Sequence, residues 1–339
     1  MRIALDAMGS DTHPDPEIRA AIEAAQAWDD PLLLVGPEDQ LRRKLEGKGS
    51  HLTNLQVVHA PQVLSMSDDP VRSARGKAES SMAVGMDLLK SGAASAFVTA
   101  GNTGGAMATA LFRLGRLRGV KRPALAPTFP VRGGGAVVVD IGANADCRPE
   151  FLVQFATMGS TYAQIMYGIA RPRVALLSNG EEPGKGNQLV KETFPLLQSL
   201  GLDFIGNVEP KEVYAGRADV VVTDGFYGNI FLKTSEAVAR YLFEIIRAQI
   251  KAGPVTALGG LLARPAFRRV ARIMDPSEYG AVPLLGVDGL VFIGHGRSDT
   301  KALVSGIRVA RQAVELHLLE ALREAIPADL DNEPPEAKP

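Results

Sequence analysis

At residues 96–107 the sequence reads Ala96-Phe97-Val98-Thr99-Ala100-Gly101-Asn102-Thr103-Gly104-Gly105-Ala106-Met107. An apolar, β-prone run ends here in small and polar residues, and a helix-forming run begins at once. In an open α/β sheet, such a junction lies at the carboxyl edge, where ligands bind. The first amides of the helix would favour an anion there, and the glycines would allow its close approach. The alternative is an ordinary turn in which Thr103 caps the helix.

The alternation of apolar strands and helices extends along the whole chain. Strands are predicted at residues 3–5, 32–35, 55–59, 96–99, 136–141, 173–177, 220–223 and 289–293. A helix is predicted after the first strand, and helices follow the strands from residue 96 onward, including one from about 230 to 251 and a last one from about 299 to 324. Residues 65–77 are expected to form an ordered surface loop or a lid. This pattern indicates a mainly parallel sheet covered on both faces, in a three-layer α/β/α arrangement.

The organisation predicted from this pattern is one catalytic α/β unit over residues 1–326, in one body or in two lobes around a cleft. Residues 327–339 are rich in proline and acidic residues, cannot build a core, and are expected to be disordered.

Composition excludes several classes of protein. The chain has 339 residues, 46% of them hydrophobic, and a formal net charge of -1, which argues against an obligate nucleic-acid binder. The single cysteine, Cys147, excludes a disulfide framework and a cysteine-rich metal site, and it fits a reducing, cytosolic setting. No run approaches the roughly 18 apolar residues of a membrane span. We therefore expect a cytoplasmic protein that is attached, at most, to the inner face of the cell membrane.

Polar residues follow most of the predicted strands. They are Asp6, the group Gly101, Asn102, Thr103, Gly104 and Gly105, then Asp140 with Asn144, Lys185, Asp224 with Asn229, and His295. If the sheet is parallel, these strand ends converge on one edge and form a polar, amide-rich cleft. Each residue also has an ordinary interpretation: a surface lysine, a turn histidine, or a cap of a helix or turn. The joint pattern favours a site.

Several familiar motifs are absent. No G-x-G-x-x-G follows the first strand, and no G-x-S-x-G occurs. The stretch 180–186 resembles a P-loop, but Gly186 stands where Ser or Thr would hold magnesium. The five histidines are scattered, and Cys147 is better explained as a small packed residue than as a nucleophile. What remains is anion binding without a metal, a cofactor or a covalent nucleophile.

One segment, about residues 236–274, departs from the α/β alternation and predicts a protruding helical hairpin. An apolar stripe ends at Gly253-Pro254, a second apolar run follows, and then come Arg264, Arg268, Arg269 and Arg272. The segment could form a dimer interface, or its tip at 253–269 could lie on an anionic membrane surface. The two interpretations are compatible.

The strand-end motifs resemble those of the bacterial phosphate acyltransferase family of phospholipid synthesis. The matching motifs are 6–11, 100–104, 140–144, 154–159, 180–186, 206–209, 224–229 and Tyr279-Gly280 with 294–296. The resemblance implies a fold similar to the phosphotransacetylase and isocitrate dehydrogenase group, and a homodimer. It also implies transfer of a fatty acyl group from acyl-carrier protein to inorganic phosphate, whose product then feeds a glycerol-3-phosphate acyltransferase.

Under this resemblance, Lys185 and the amides of Gly101–Gly105 would hold phosphate, with Asn102 and Thr103 orienting the attack. Asn144, Asn229 or His295 would stabilise the oxyanion, and Asp6 and Asp224 would belong to the substrate site. Carrier protein would dock on basic residues, either the arginines of the hairpin or Arg113, Arg116, Arg118, Lys121 and Arg122. The alternatives are a phosphotransacetylase acting on an acyl-coenzyme A and a non-catalytic membrane scaffold for acyltransferases.

Overall fold

The computed structural model describes residues 1–273 and 280–326. The predicted tail at 327–339, the last residue of the predicted hairpin and Tyr279 lie outside the described residues. The strands are β1 Ile3–Asp6, β2 Leu32–Gly36, β3 Leu55–His59, β4 Ala96–Thr99, β5 Ala124–Leu125, β6 Thr128–Val131, β7 Gly134–Val139, β8 Arg173–Leu177, β9 Asp203–Val208, β10 Val220–Val222, β11 Val282–Leu285 and β12 Val291–Ile293.

Helices alternate with these strands along most of the chain. They are α1 Asp15–Ala27, α2 Glu38–Leu45, α3 Pro70–Gly76, α4 Ser81–Lys90, α5 Thr103–Arg113, α6 Pro149–Tyr167, α7 Gln188–Gln198, α8 Pro210–Tyr214, α9 Gly225–Lys251, α10 Pro254–Ile273, α11 Thr300–Glu315 and α12 Leu318–Ala325. The mixed, mainly parallel α/β class predicted from the sequence is confirmed.

The described strands form two sheets. The first has the order β3-β2-β1-β4-β12-β11-β5, and its members from β3 to β12 are parallel. The second has the order β6-β7-β10-β8-β9, parallel from β7 to β9. Parallel strands point their carboxyl ends toward one edge, so β1, β4 and β12 end together in the first sheet. In the second sheet β7, β10 and β8 end together.

Helix α6 connects the two sheets through the hydrophobic core. It buries Phe155 and Met158 in a cluster that also contains Leu5 of β1 and Val139 of β7. A Cβ atom on its Gly159 would lie 2.8 Å from Val220 Cγ1, so this glycine allows the helix to approach β10 closely. The continuous core makes the two sheets one packed unit.

Helices α9 and α10 form the predicted hairpin. The turn between them is short, and Gly260 allows close packing because a Cβ there would lie 2.3 Å from Ile250 Cγ2. No residue of α10 is buried, and Val255 and Leu262 are 82% and 76% exposed. The apolar residues predicted at a tip, 253–269, therefore lie mainly along the exposed length of α10.

Some of the predicted elements were wrong in extent. Residues 70–76 form α3 where a loop or lid was expected, because Asp69 caps the helix by accepting from the Arg72 amide at 2.7 Å and Pro70 starts it. Helix α9 begins at Gly225 and not near Ile230, because Asp224 caps it.

The predicted last helix is broken in two. His317 adopts a left-handed conformation with φ of 54°, which ends α11 and starts α12. The change of direction allows Leu318 and Leu322 to be buried. Strands β5, β6, β9 and β11 and helices α2, α4 and α8 were not predicted.

The contact between α4 and β4 makes Gly85 a sensitive position. A Cβ at Gly85 would lie 2.1 Å from Cε2 of the fully buried Phe97, which has no space to move into. Gly85→Ala is expected to lower the free energy of unfolding by roughly 1–3 kcal/mol, measured by urea denaturation. The matched control is Gly259→Ala in α10, where nothing lies within 4 Å and helix propensity should raise stability by about 0.5–1 kcal/mol. Equal effects of the two substitutions would contradict this account of the α4–β4 contact.

Candidate active site

The first group of candidate residues lies where β1, β4 and β12 end. The buried Asp6 carboxylate accepts hydrogen bonds from Thr99 Oγ1 at 2.7 Å and from the Met8 amide at 3.0 Å. Thr99 Oγ1 in turn accepts from the Gly101 amide at 3.0 Å. Burial raises the pKa of Asp6 above its ordinary value. Through the Thr99 hydroxyl, Asp6 therefore fixes the start of the glycine-rich loop.

Asn102, and not Thr103, caps helix α5. Its Oδ1 accepts from the Gly105 amide at 2.9 Å, and its Nδ2 donates to the Met66 carbonyl at 3.0 Å. The amides of Gly101 and Gly105 are thus already engaged. The amides of Thr103 and Gly104 lie in the first turn of the helix, where no preceding helical carbonyl is in position to accept from them. These two amides are the donors that the loop offers to an anion.

The glycines of this loop are required by packing. A Cβ at Gly101 would lie 2.1 Å from Met82 Cε, and one at Gly105 would lie 2.6 Å from Leu64 Cδ2. At Gly104 it would lie 2.9 Å from Pro70 Cγ. The sequence suggested that these glycines leave room for a ligand, but the structure fills the space beside them with neighbouring side chains.

His295 belongs to the same group. Its loop is held by two backbone bonds, from the Gly294 amide to the Thr99 carbonyl and from the Asp11 amide to the Gly296 carbonyl, both 2.7 Å. The exposed imidazole accepts from the Arg297 amide through Nδ1 at 3.2 Å. Because Nδ1 acts as acceptor, the hydrogen bond assigns the proton of the neutral ring to Nε2. Nε2–H is the nitrogen that His295 can offer to a substrate.

Glu17 is a residue of this region that the sequence did not single out. It is fully buried on α1, and its Oε1 accepts from the Ser10 amide at 2.8 Å. Its Oε2 has no hydrogen-bond partner among the described residues. Burial raises its pKa, and the nearby charge of Asp6 adds to the shift. An acidic residue in the first turn of a helix is so ordinary in sequence that no pattern distinguishes it.

The second group lies where β7 and β10 end and is organised by Asp140. This buried carboxylate accepts from the amides of Leu125 at 2.9 Å, Ile141 at 2.8 Å and Asn144 at 2.7 Å. Burial raises its pKa, and these amide donors oppose the shift. A Cβ at Gly228 would lie 1.9 Å from the Asp140 carbonyl oxygen, so α9 approaches this strand end very closely.

Asn144 and Asn229 have different environments. The Nδ2 group of Asn144 donates to the Pro123 carbonyl at 2.7 Å and to Asp140 at 3.1 Å, so its two hydrogens are already used. Asn144 was predicted as an oxyanion donor, and its geometry fits a positioning residue better. The exposed Asn229 side chain faces Gly142, with its amide 3.8 Å from where a Cβ would stand. Asn229 is the available donor of this pair.

Asp224 and Cys147 complete the second group. Asp224 Oδ1 accepts from the Tyr227 amide at 2.8 Å, and burial raises the pKa of this carboxyl. Cys147 Sγ contacts the Asn144 carbonyl at 3.5 Å. Burial, together with the charges of Asp140 and Asp224, raises the pKa of the thiol to about 12, so Cys147 is not activated as a nucleophile.

Lys185 lies on the loop that follows β8 in the second sheet. The loop is held by bonds from the Gly186 amide to Asn179 Oδ1 and from Asn207 Nδ2 to the Glu182 carbonyl, both 3.0 Å. The Lys185 side chain is exposed and packs beside Gly180, and its ammonium group makes no hydrogen bond or ion pair within the described ranges. An anchored loop thus carries a cation that is free to bind an anion.

The predicted site residues therefore fall into two groups, one at each sheet edge. Asp6, residues 101–105 and His295 lie at the first, while Asn144, Lys185, Asp224 and Asn229 lie at the second. The bond from Leu125 to Asp140 joins the two sheets, and Ile141 and Ala143 pack against the hydrophobic cluster that includes α5.

Two features are absent from the part of the chain that the structure describes. No three His, Cys, Asp or Glu side chains in residues 1–273 and 280–326 are grouped as metal ligands would be. Over the same ranges, no helix combines the length and the apolar character that a membrane crossing requires.

Nearly the whole chain is similar to known proteins. A family model described as "Fatty acid synthesis protein" matches residues 1–320. A phosphate acyltransferase from Elusimicrobium minutum is 46% identical over 327 residues, covering 96% of each chain. Another phosphate acyltransferase, from Acidobacterium capsulatum, is 46% identical over 331 residues, covering 96% of this chain and 98% of its own. These matches confirm the resemblance found in the motifs.

Solved structures share the fold at much lower identity. A phosphotransacetylase from Streptococcus pyogenes superposes with a TM-score of 0.62 and 17% identity, covering 93% of this chain and 94% of its own. At this identity the match shows the fold alone, and it agrees with the predicted phosphotransacetylase-like architecture.

The buried carboxyl of Glu17 gives a prediction about pH and stability. The pKa of Glu17 is higher in the folded state than in the unfolded chain. As pH rises above about 4.3, the unfolded chain therefore loses this proton first, and the stability of the folded state falls until the folded-state pKa is passed. Relative to wild type, Glu17→Gln should therefore gain stability as pH rises, measured by urea unfolding between about pH 5 and 8. Glu23→Gln, an exposed carboxyl on the same helix, is the control. A stability difference between wild type and Glu17→Gln that stays constant with pH would contradict the prediction.

Proposed function

Because the chain belongs to the fatty acid synthesis protein family, in which its curated relatives are phosphate acyltransferases, we propose that it transfers a fatty acyl group from acyl-carrier protein to inorganic phosphate. It is an acyltransferase. The acyl phosphate formed would then serve a glycerol-3-phosphate acyltransferase in phospholipid synthesis. The observation that carries the proposal is the family match over residues 1–320. The matching motifs also supply the polar residues at the two sheet edges.

Phosphate would be held between the two groups of residues. The Lys185 ammonium, which has no ion-pair partner among the described residues, supplies a mobile positive charge. The amides of Thr103 and Gly104 supply oriented donors at the start of α5. A phosphate group has a second pKa of about 6, so near neutral pH it is already largely dianionic. The nucleophile therefore needs positioning more than it needs a general base.

The acyl carbonyl would be activated by neutral donors. Attack by phosphate oxygen puts negative charge on the thioester carbonyl oxygen, and Asn229 Nδ2 and His295 Nε2 are the side-chain donors available to receive it. Loss of one such donor typically costs a factor of about 10²–10³ in turnover. The thiolate, with a pKa of about 8.5, then leaves without needing full protonation. Asp6, Asp140 and Asp224 act by holding the loops that carry these donors.

The experiment that tests the function is release of the carrier-protein thiol from palmitoyl-acyl-carrier protein with and without phosphate. The proposed reaction requires release that depends on phosphate and forms acyl phosphate. The same assay with palmitoyl-coenzyme A separates this activity from that of a phosphotransacetylase. A non-catalytic scaffold would show no phosphate-dependent release with either donor.

Removing the Lys185 charge should weaken phosphate binding specifically. A hydrogen bond to a charged group is worth about 1.5–3 kcal/mol, so Lys185→Ala should raise the KM for phosphate by at least about tenfold. The control is Lys191→Ala, an exposed lysine on the neighbouring helix α7. An unchanged phosphate KM and turnover in Lys185→Ala would refute the role of this lysine.

We propose that the hairpin of α9 and α10 serves assembly and membrane contact, with the protein acting as a homodimer. Its exposed apolar side chains include Tyr241 and Leu242 on α9 and Leu258 and Leu262 on α10, with 65%, 55%, 60% and 76% exposure. The four arginines of α10 are exposed beside them and would attract anionic headgroups or the acidic carrier protein. In the alternative basic patch, Arg113 is already paired with Asp87, which favours the hairpin.

The membrane part of this proposal predicts the effect of a charge on α10. Leu262→Glu should lower binding to phosphatidylglycerol vesicles by about tenfold or more in a co-sedimentation assay, because burial of a leucine contributes about 1.5–3 kcal/mol. Leu316→Glu, at another partly exposed leucine, is the control. Size-exclusion chromatography of both variants shows whether the same change separates the dimer. Vesicle binding that is unaffected by Leu262→Glu would remove the hairpin from the membrane contact.

A further inference from the structure

A cavity of about 390 Å³ opens beside the second group of site residues. Its walls come from the loop after β7, the start of α7 and the start of α9, represented by Cys147, Leu189 and Tyr227. This volume lies in the range of about 300–1,000 Å³ typical of sites for small organic ligands. The role proposed for the second group so far, holding phosphate and stabilising the oxyanion, does not use this space.

The charge of the cavity excludes phosphate as its occupant. Two carboxyl groups, Asp146 and Asp224, line it, and no lysine, arginine or histidine among the described residues does. Each carboxylate would repel a phosphate dianion across a few ångströms, and no cation on the wall offsets this. A ligand of this cavity therefore carries no negative charge where it contacts the wall, and it gains from donating hydrogen bonds to the carboxylates. Asn187 Oδ1 already accepts from the Val190 amide at 3.0 Å, so Asn187 offers its Nδ2 group as a donor to the ligand.

The remaining walls are apolar and unusually exposed. The rings of Phe226 and Tyr227 lie edge to face with centroids 5.6 Å apart, and these residues are 55% and 50% exposed. Leu189 and the uncharged thiol of Cys147 face the same space. Two solvent-exposed aromatic rings at the mouth of a cavity offer a surface on which a narrow aliphatic chain can be buried.

The position of the cavity connects it to the reaction. Asp224, which caps α9 at the second sheet edge, also lines the cavity, and Asn187 stands only two residues after Lys185. Asn229 lies one helical turn after Gly225 on the same helix. An elongated ligand in the cavity can thus place its inner end beside the donors that would act on a thioester.

We propose that this cavity receives the pantetheine arm of the acyl donor. The arm is a neutral chain of two secondary amides and methylene groups that ends in the thioester sulfur. Its amide N–H groups match the carboxylates, its amide carbonyls match the Asn187 Nδ2 donor, and its aliphatic parts match Phe226, Tyr227 and Leu189. Phosphate binds outside the cavity, toward Lys185 and the start of α5. This inference rests on the proposed function and adds which part of the donor is recognised by which residues.

The first test separates recognition of the acyl donor from recognition of phosphate. Phe226→Ala and Tyr227→Ala should each raise the KM for palmitoyl-acyl-carrier protein by about tenfold and leave the KM for phosphate within a factor of about two, because each removes an aromatic wall from the cavity only. Tyr227→Phe keeps the ring and should behave as wild type. Leu196→Ala, an exposed leucine on the outer part of α7, is the surface control.

A direct binding measurement keeps the inference independent of turnover. S-methyl-pantetheine, a thioether that carries the arm without an acyl chain and cannot react, should bind wild type in calorimetry and bind both alanine variants about tenfold more weakly. Unchanged binding of the thioether in both variants, or a rise in the KM for phosphate equal to that for the donor, would overturn the inference. Wild-type protein that binds the thioether but releases no thiol with phosphate would instead overturn the proposed reaction and leave the pantetheine site supported.

Discussion

The buried carboxylate of Asp140 is the interaction on which the arrangement of the two sheets depends. It ends β7 of the second sheet, yet it accepts the amide of Leu125, which belongs to β5 of the first sheet. The same carboxylate accepts the amides of Ile141 and Asn144 and so fixes the loop that begins the second group of site residues. In a low-dielectric interior an unpaired amide or carboxylate is costly, so each partner constrains the other. Together with the core around α6, these hydrogen bonds hold the two sheet edges relative to one another.

In the proposed site, buried acids position the loops and exposed donors face the solvent. Asp6, Glu17 and Asp140 are almost without solvent contact and bind backbone amides, so they position loops and are shielded from a substrate at the surface. The groups that can reach a substrate are exposed: Lys185, Asn229, His295 and the first amides of α5. This division suits a reaction in which phosphate supplies the nucleophile and a thiolate departs, because orientation and charge stabilisation then carry most of the catalysis.

Much of the fold could be predicted because the strands are continuous apolar runs. Strands β3, β4 and β8 begin and end where the sequence predicted them, and the hairpin was visible from its apolar stripe and arginines. The missed strands are short or irregular: β5 has two residues, and β9 contains Gly206 with φ of 95° and a register shift opposite β8. Helix α3 was missed because its start depends on the Asp69 cap and its sequence lacks a clear apolar period.

The sequence by itself determined the alternation of strands and helices, the polar residues at the strand ends and the family to which they belong. These features depend on residues close together in the chain, where local propensity and hydrophobic period act. The tertiary structure alone decided which of those polar residues remain available. The side-chain amide of Asn102 donates to a carbonyl 36 residues away, and that of Asn144 donates to one 21 residues away. Lys185, His295 and Asn229 keep their polar groups for a ligand because the folded chain leaves them at the surface, and no local pattern encodes that difference.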